Sequence, residues 1–194
     1  MNYLSHIHLA HISETSLLGN FLGDFVKGSH LQHLPADIRH GVRLHRKIDA
    51  FTDSHAIVKS IRATFPSELR RMSGVLIDIY FDHLLSVHWQ LYTQQSKQAV
   101  LDNFYRQLRM ETVQIDGRFE QVRGGLLKHR WLTTYETRKN CLNAFLQIEK
   151  RLNMRIIFAE KGYHFVNHNH QVIEQGFLAF YPELIKFVQS DYLK

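Results

Sequence analysis

Apolar side chains recur along this chain at helical intervals, and alternation of the kind that marks strands is scarce. Between Leu76 and Leu91, the residues Leu76, Ile77, Ile79, Tyr80, Phe81, Leu84, Leu85, Val87 and Leu91 cover most of a helix's circumference. That coverage predicts a central helix, buried on nearly every side. Ser96 to Leu108 carries Ala99, Val100, Phe104, Tyr105 and Leu108 on one face, and Cys141 to Leu152 carries Leu142, Phe145, Leu146, Ile148 and Leu152. Both read as amphipathic helices. Val172 to Val188 has the same period, with a break expected at Pro182 because proline cannot continue a helix interior. From Leu17 to Val26, an apolar face of Leu17, Leu18, Phe21, Leu22 and Phe25 adjoins a face holding Asn20 and Asp24, four apart. Pro35, Pro66 and Pro182 read as helix edges, and Asp116-Gly117 and Gly124-Gly125 as turns. No linker, low-complexity tract or internal repeat divides the chain. The pattern predicts an all-α protein, one compact multi-helix domain spanning 1–194.

The polar positions interrupt this pattern in a particular way. His45, Asp49 and Asp53 are four apart, as are Asp78 and Asp82, which His83 follows at once. Residues at that spacing share one helix face, where like charges repel. Asp78 and Asp82 also lie within the most apolar helix, and Asp24 closes an apolar run, so burial would be costly without compensation. Taken singly, each has an ordinary explanation: Asp78 at a helix N-terminus, Asp82 paired with Arg70 or Arg71, His83 packed in the core. Taken together, and with His6 and His8 near the start of the chain, they point to a divalent cation. A mixed carboxylate and imidazole set suits Mn, Fe or Mg more than a thiolate-rich structural zinc, and the lack of a cysteine pair argues against such a zinc site. Such an ion polarises phosphoryl oxygens and activates water. Arg43, Arg46 and Lys47 interleave with His45 and Asp49, so phosphate and metal would meet there.

Composition changes the picture only slightly. The 194 residues are 44% hydrophobic and 22% charged, ordinary for a globular protein. A single cysteine, Cys141, allows no internal disulfide and favours a reducing compartment. It lies in an apolar helical pattern and is expected to be buried and inert. The opening residues lack a basic region followed by an apolar one, and no apolar run is long enough to span a bilayer. The expected location is cytoplasmic. A formal charge of +6 admits an acidic protein, nucleic acid or anionic membrane as partner, or simply a solvated basic surface. The cluster of His164, His168 and His170 lacks a nearby carboxylate and reads as an exposed loop or helix edge. Arg123, Lys128, His129 and Arg130 before Trp131 read as a solvated face beside a core tryptophan. No phosphate-binding loop, dinucleotide fingerprint or nucleophile elbow occurs.

Several segments together resemble the acyl carrier protein phosphodiesterases. They are Met1 to Ala10, Gly19 to Val26, Leu44 to Asp49 with Thr52-Asp53, and Leu76 to Asp78 with Phe81-Asp82-His83. His88-Trp89 and Phe180-Tyr181-Pro182 also fit. The resemblance covers most of the chain, is densest before residue 90 and is loose over 110–170. It implies hydrolysis of the phosphodiester joining 4′-phosphopantetheine to a serine of holo-acyl carrier protein. It further implies a helical fold distantly related to the HD phosphohydrolases and a divalent metal, manganese first, with Mg or Fe as alternatives. One departure stands out: HD enzymes carry His followed by Asp, and this chain has Asp82 followed by His83. Under this resemblance His6, Asp24, His45, Asp78 and Asp82 are candidate metal ligands. Asp49 would orient His45, His83 would protonate the leaving oxygen, and Arg43, Arg46 and Lys47 would bind the phosphate or the acidic carrier. Two competing functions remain: an HD-type nucleotide phosphohydrolase, and a non-enzymatic helical protein binding RNA or another polyanion. No stable nucleic-acid partner and no membrane are expected under the first reading.

Overall fold

A computed structural model describes the protein to Tyr192, apart from Thr112, Gln114 and Asp116. Among the described residues there are eleven α-helices and no strand. They are α1 (Tyr3–Ile12), α2 (Leu17–Leu22), α3 (Ala36–Ser54), α4 (Ala56–Ala63), α5 (Ser67–Arg70), α6 (Ser73–Val87), α7 (Lys97–Met110), α8 (Gly117–His129), α9 (Arg138–Arg151), α10 (Ala159–His168) and α11 (His170–Tyr192). Short 3-10 turns at Trp89–Leu91 and Trp131–Thr134 follow α6 and α8.

Two helices lie at the centre. In α1, every residue from Leu4 to Ala10 is buried. In α6, Leu76, Ile77, Ile79, Tyr80, Phe81, Leu84 and Leu85 are buried, as their spread around the helix requires. The predicted helix over 76–91 stops at His88, where the chain tightens into the 3-10 turn and seats the buried Trp89. α7 and α9 match the predicted amphipathic segments, and the Ser96 hydroxyl caps α7 by accepting from the Ala99 amide. One hydrophobic core runs from Leu4 to Val188. It includes Cys141, whose thiol burial pushes up to about 12.

Three local expectations are corrected. α11 continues through Pro182 without a break. Phe177, Phe180, Tyr181, Leu184 and Val188 are all buried on both sides of that proline, so packing holds the helix that proline would interrupt. Gly124-Gly125 lies inside α8 rather than in a turn; the Trp131 ring packs against Gly125 there. Asp116 falls outside the described residues, and Gly117 begins α8. The stretch from Leu17 is helical only to Leu22, so Asn20 and Asp24 do not share a helix face. His164 and His168 are exposed on α10, a helix edge, and His170 opens α11.

The crossing of α2 and α3 positions the site. A Cβ on Gly41 would stand 2.6 Å from the Asn20 backbone nitrogen, and one on Gly19 2.6 Å from the Ile38 carbonyl. Glycine on both sides lets the two backbones touch, which brings Asn20 and His45 toward α1.

Candidate active site

Asp82 makes the first anchor. α1 has no side-chain cap of its own at Asn2. The Asp82 carboxylate, reaching from α6, accepts instead from the amides of Leu4 (2.9 Å) and Ser5 (2.9 Å) and from the Ser5 hydroxyl (2.5 Å). These are first-turn amides that a helix leaves unpaired. Burial pushes the Asp82 carboxyl up to about 6, and the three hydrogen bonds only partly oppose that. α1 is thereby fixed against α6, with His6 one turn in.

His6 and His45 are both buried, and their rings stack with centroids 4.0 Å apart and planes at 23°. Asp49 lies between their outer edges. Its Oδ1 is 3.1 Å from His6 Nε2, and its Oδ2 is 3.1 Å from His45 Nε2. His6 Nδ1 meets the Asn20 side-chain carbonyl at 2.9 Å. His45 approaches this closely because Gly23 has no side chain: a Cβ there would fall 2.3 Å from the imidazole. Burial, and then the neighbouring His45, push His6 down to about 4. Burial opposes ionisation of Asp49, but the hydrogen bond from His45, with the positive charge of the nearby Met1 amine, holds it well below the usual carboxylate range.

Asp78 closes the group from α6. The Met1 amine lies 3.3 Å from Asp78 Oδ1 and 3.5 Å from Asp49 Oδ1. Burial works against that charge, yet Asp78 and Asp49 together raise the amine to about 10. Burial, reinforced by the Asp49 charge, raises the Asp78 carboxyl against the opposing pull of the amine.

This donor set fits a divalent cation. One ligand atom from each of His6, His45 and Asp49 lies within 4.8 Å of the others. Neighbouring ligands around an octahedral ion with bonds of about 2.1 Å stand about 3 Å apart, which matches the two 3.1 Å separations. The ammonium between the two carboxylates acts as a stand-in for a cation, and the set mixes nitrogen with carboxylate oxygen.

The other predicted site residues are placed elsewhere. Asp24 accepts from the Tyr3 hydroxyl (3.1 Å) and from Arg118 (3.2 Å), because the chain leaves the helix before reaching it. Asp82 uses both oxygens on α1, as described. His83 Nδ1 donates to the Tyr135 carbonyl at 2.7 Å, and burial lowers its basicity. Asp53 pairs with Arg62 at 3.3 Å. Arg46 donates to the carbonyls of Val26 (3.0 Å) and Gly28 (2.7 Å), holding the turn after α2. Arg43 and Lys47 are exposed on α3, two residues to either side of His45 and so on the face of the helix turned away from it. Asn20 joins the site although its sequence position suggested only a neighbour of Asp24. The available clue was an amide within the apolar run Leu17 to Leu22.

Among the described residues, no helix is long and apolar enough to cross a membrane. No solved structure matches the chain, so the likeness to the HD phosphohydrolase fold rests on sequence motifs alone. A protein from Salmonella agona (strain SL483), called acyl carrier protein phosphodiesterase, is 33% identical over 192 residues, covering 95% of this chain and 96% of its own. One of the same name from Klebsiella pneumoniae (strain 342) is 32% identical over 200 residues, covering both chains in full. The family model for acyl carrier protein phosphodiesterase matches residues 1–184. With its densest motifs meeting at the His6, His45 and Asp49 cluster, the chain belongs to the acyl carrier protein phosphodiesterase family.

Proposed function

We propose that this protein hydrolyses the phosphodiester between 4′-phosphopantetheine and the carrier serine of holo-acyl carrier protein, using a divalent metal. The observation that supports the reading is the stacked pair of buried imidazoles sharing the Asp49 carboxylate, beside Asp78. His6, His45, Asp49 and Asp78 would hold the ion, with Mn²⁺ first and Mg²⁺ or Fe²⁺ compatible with the same donors. Bound there, it would supply Lewis acidity to the phosphoryl oxygens and to water.

The chain's own residues do the rest. Asp49 keeps its carboxylate ionised and directs both imidazole edges at one point. Arg43 and Lys47, exposed on the outer face of α3, add to the positive charge that draws in an acidic carrier protein. Water attacks phosphorus, the bond from phosphorus to the serine oxygen breaks, and that oxygen leaves with a proton. The products are the apo-carrier and 4′-phosphopantetheine. Family membership favours this substrate over a nucleotide or a polyanion ligand.

The test is mass spectrometry of holo-carrier incubated with the purified protein and Mn²⁺, with and without chelator. Loss of one phosphopantetheine in the metal sample alone is expected. An unchanged holo-carrier sinks the reading, and hydrolysis of nucleotides alone favours the HD-type alternative. Replacing Asp49 with Asn is expected to weaken Mn²⁺ binding by at least about 100-fold, measured by calorimetry.

A further inference from the structure

We infer that Asn20 is a positioning residue that decides which nitrogen of His6 carries the hydrogen: its carbonyl holds the proton on Nδ1 and leaves the Nε2 lone pair facing Asp49. A neutral imidazole has one N–H, but His6 faces two acceptors, Asn20 Oδ1 at 2.9 Å and Asp49 Oδ1 at 3.1 Å. Only one can be served. Asn20 is fully buried, and its carbonyl would lose its partner without that hydrogen. Asp49 is 41% exposed and also meets His45 and the Met1 amine, so its oxygens are satisfied in other ways. The hydrogen therefore belongs on Nδ1.

The consequence lies on the other side of the ring. His6 Nε2 and Asp49 Oδ1 then face each other at 3.1 Å as two electron-pair donors with no proton between them. That arrangement is repulsive until a cation is shared. Orienting a ligating histidine through its second nitrogen is a general way of fixing a metal ligand. The reversed amide would do the opposite. The Asn20 amino group, buried without a partner, would donate to Nδ1, and Nε2–H would close onto Asp49. The residue thus chooses between a cation-ready and a self-satisfied site.

This inference rests on the proposed metal only in the second arm of its test. In the first arm, ¹⁵N-imidazole NMR of the metal-free protein reads the tautomer, with His6 assigned by comparison with His6→Gln. We expect a protonated Nδ1 and a bare Nε2 in the wild type, and a shift of the proton to Nε2 in Asn20→Leu. A protonated Nε2 in the wild type overturns the inference. In the second arm, Mn²⁺ affinity is measured by calorimetry. Asn20→Leu is expected to lose about 10- to 100-fold, while Asn20→Asp, which offers only acceptors, stays close to wild type. Equal affinity in the wild type and the Leu variant overturns it. If Asn20→Leu does not fold, the wild-type tautomer and the Asp variant decide. If the wild type binds no metal, the metal reading fails, and the NMR arm still judges Asn20.

Discussion

His6 and His8 are buried imidazoles whose environments disfavour charge, chiefly by burial, down to about 4 and about 3. Both values lie below the unfolded value near 6.5, so the unfolded chain binds more protons between them. Their contribution to stability is therefore complete above pH 6.5 and is lost as the pH falls toward 4 and then 3. Asp82 works in the opposite direction. Its folded value of about 6 lies above the unfolded 3.8, so its contribution is present below 3.8 and lost as the pH rises through 6. Between pH 7 and pH 5, each of the two histidines should cost about 2 kcal/mol in urea unfolding, with Asp82 returning part of it. His8→Phe should flatten that slope, and a slope identical to wild type would rule out burial of a neutral His8. At this scale the sequence was half legible. The spacing of His45 and Asp49 placed their side chains correctly on one face. Spacing could not reveal that Asp82 turns toward backbone amides of α1, or that Asp24 lies past a helix end.

Helix ends carry much of the specificity between elements. Replacing Asp82 with Ala strands the Leu4 and Ser5 amides in a dry interior and should cost about 3 kcal/mol in the metal-free protein. A residue acting only as a metal ligand would show the reverse: unchanged metal-free stability and weakened Mn²⁺ binding. Glu149 of α9 plays the matching part for α10. Its buried carboxylate accepts from the amides of Phe158 and Ala159 (2.5 Å for the latter), and Glu149→Ala should cost about 2 kcal/mol, read by urea midpoint. Apolar periodicity made α6, α7 and α9 readable because it records which face is buried. It said nothing of these caps, since a carboxylate on another helix leaves no mark in sequence beside the amides it serves. Pro182 misled for a related reason: local propensity spoke for a break, and packing of Phe180 and Leu184 overrode it.

The net charge of +6 belongs to the whole molecule, and Arg43 and Lys47 on the outer face of α3 are part of it. If the carrier is the substrate, raising the salt from 50 to 500 mM should raise KM several-fold and leave kcat nearly constant, because screening weakens encounter rather than chemistry. A salt-independent KM would place recognition in uncharged contacts. The all-helical character was visible in the chain, and the gathering of α1, α2, α3 and α6 at one point was suggested by its acids and imidazoles. Which ligands met was not, because convergence depends on crossings such as Gly19 on Gly41 that no local pattern announces. Cys141 offers a last consequence. As the sole thiol, sealed between α9 and its neighbours and raised to about 12, it stays silent toward thiol reagents while the fold is closed. The pace at which a maleimide reaches it is thus a built-in clock for how often that part of the protein opens.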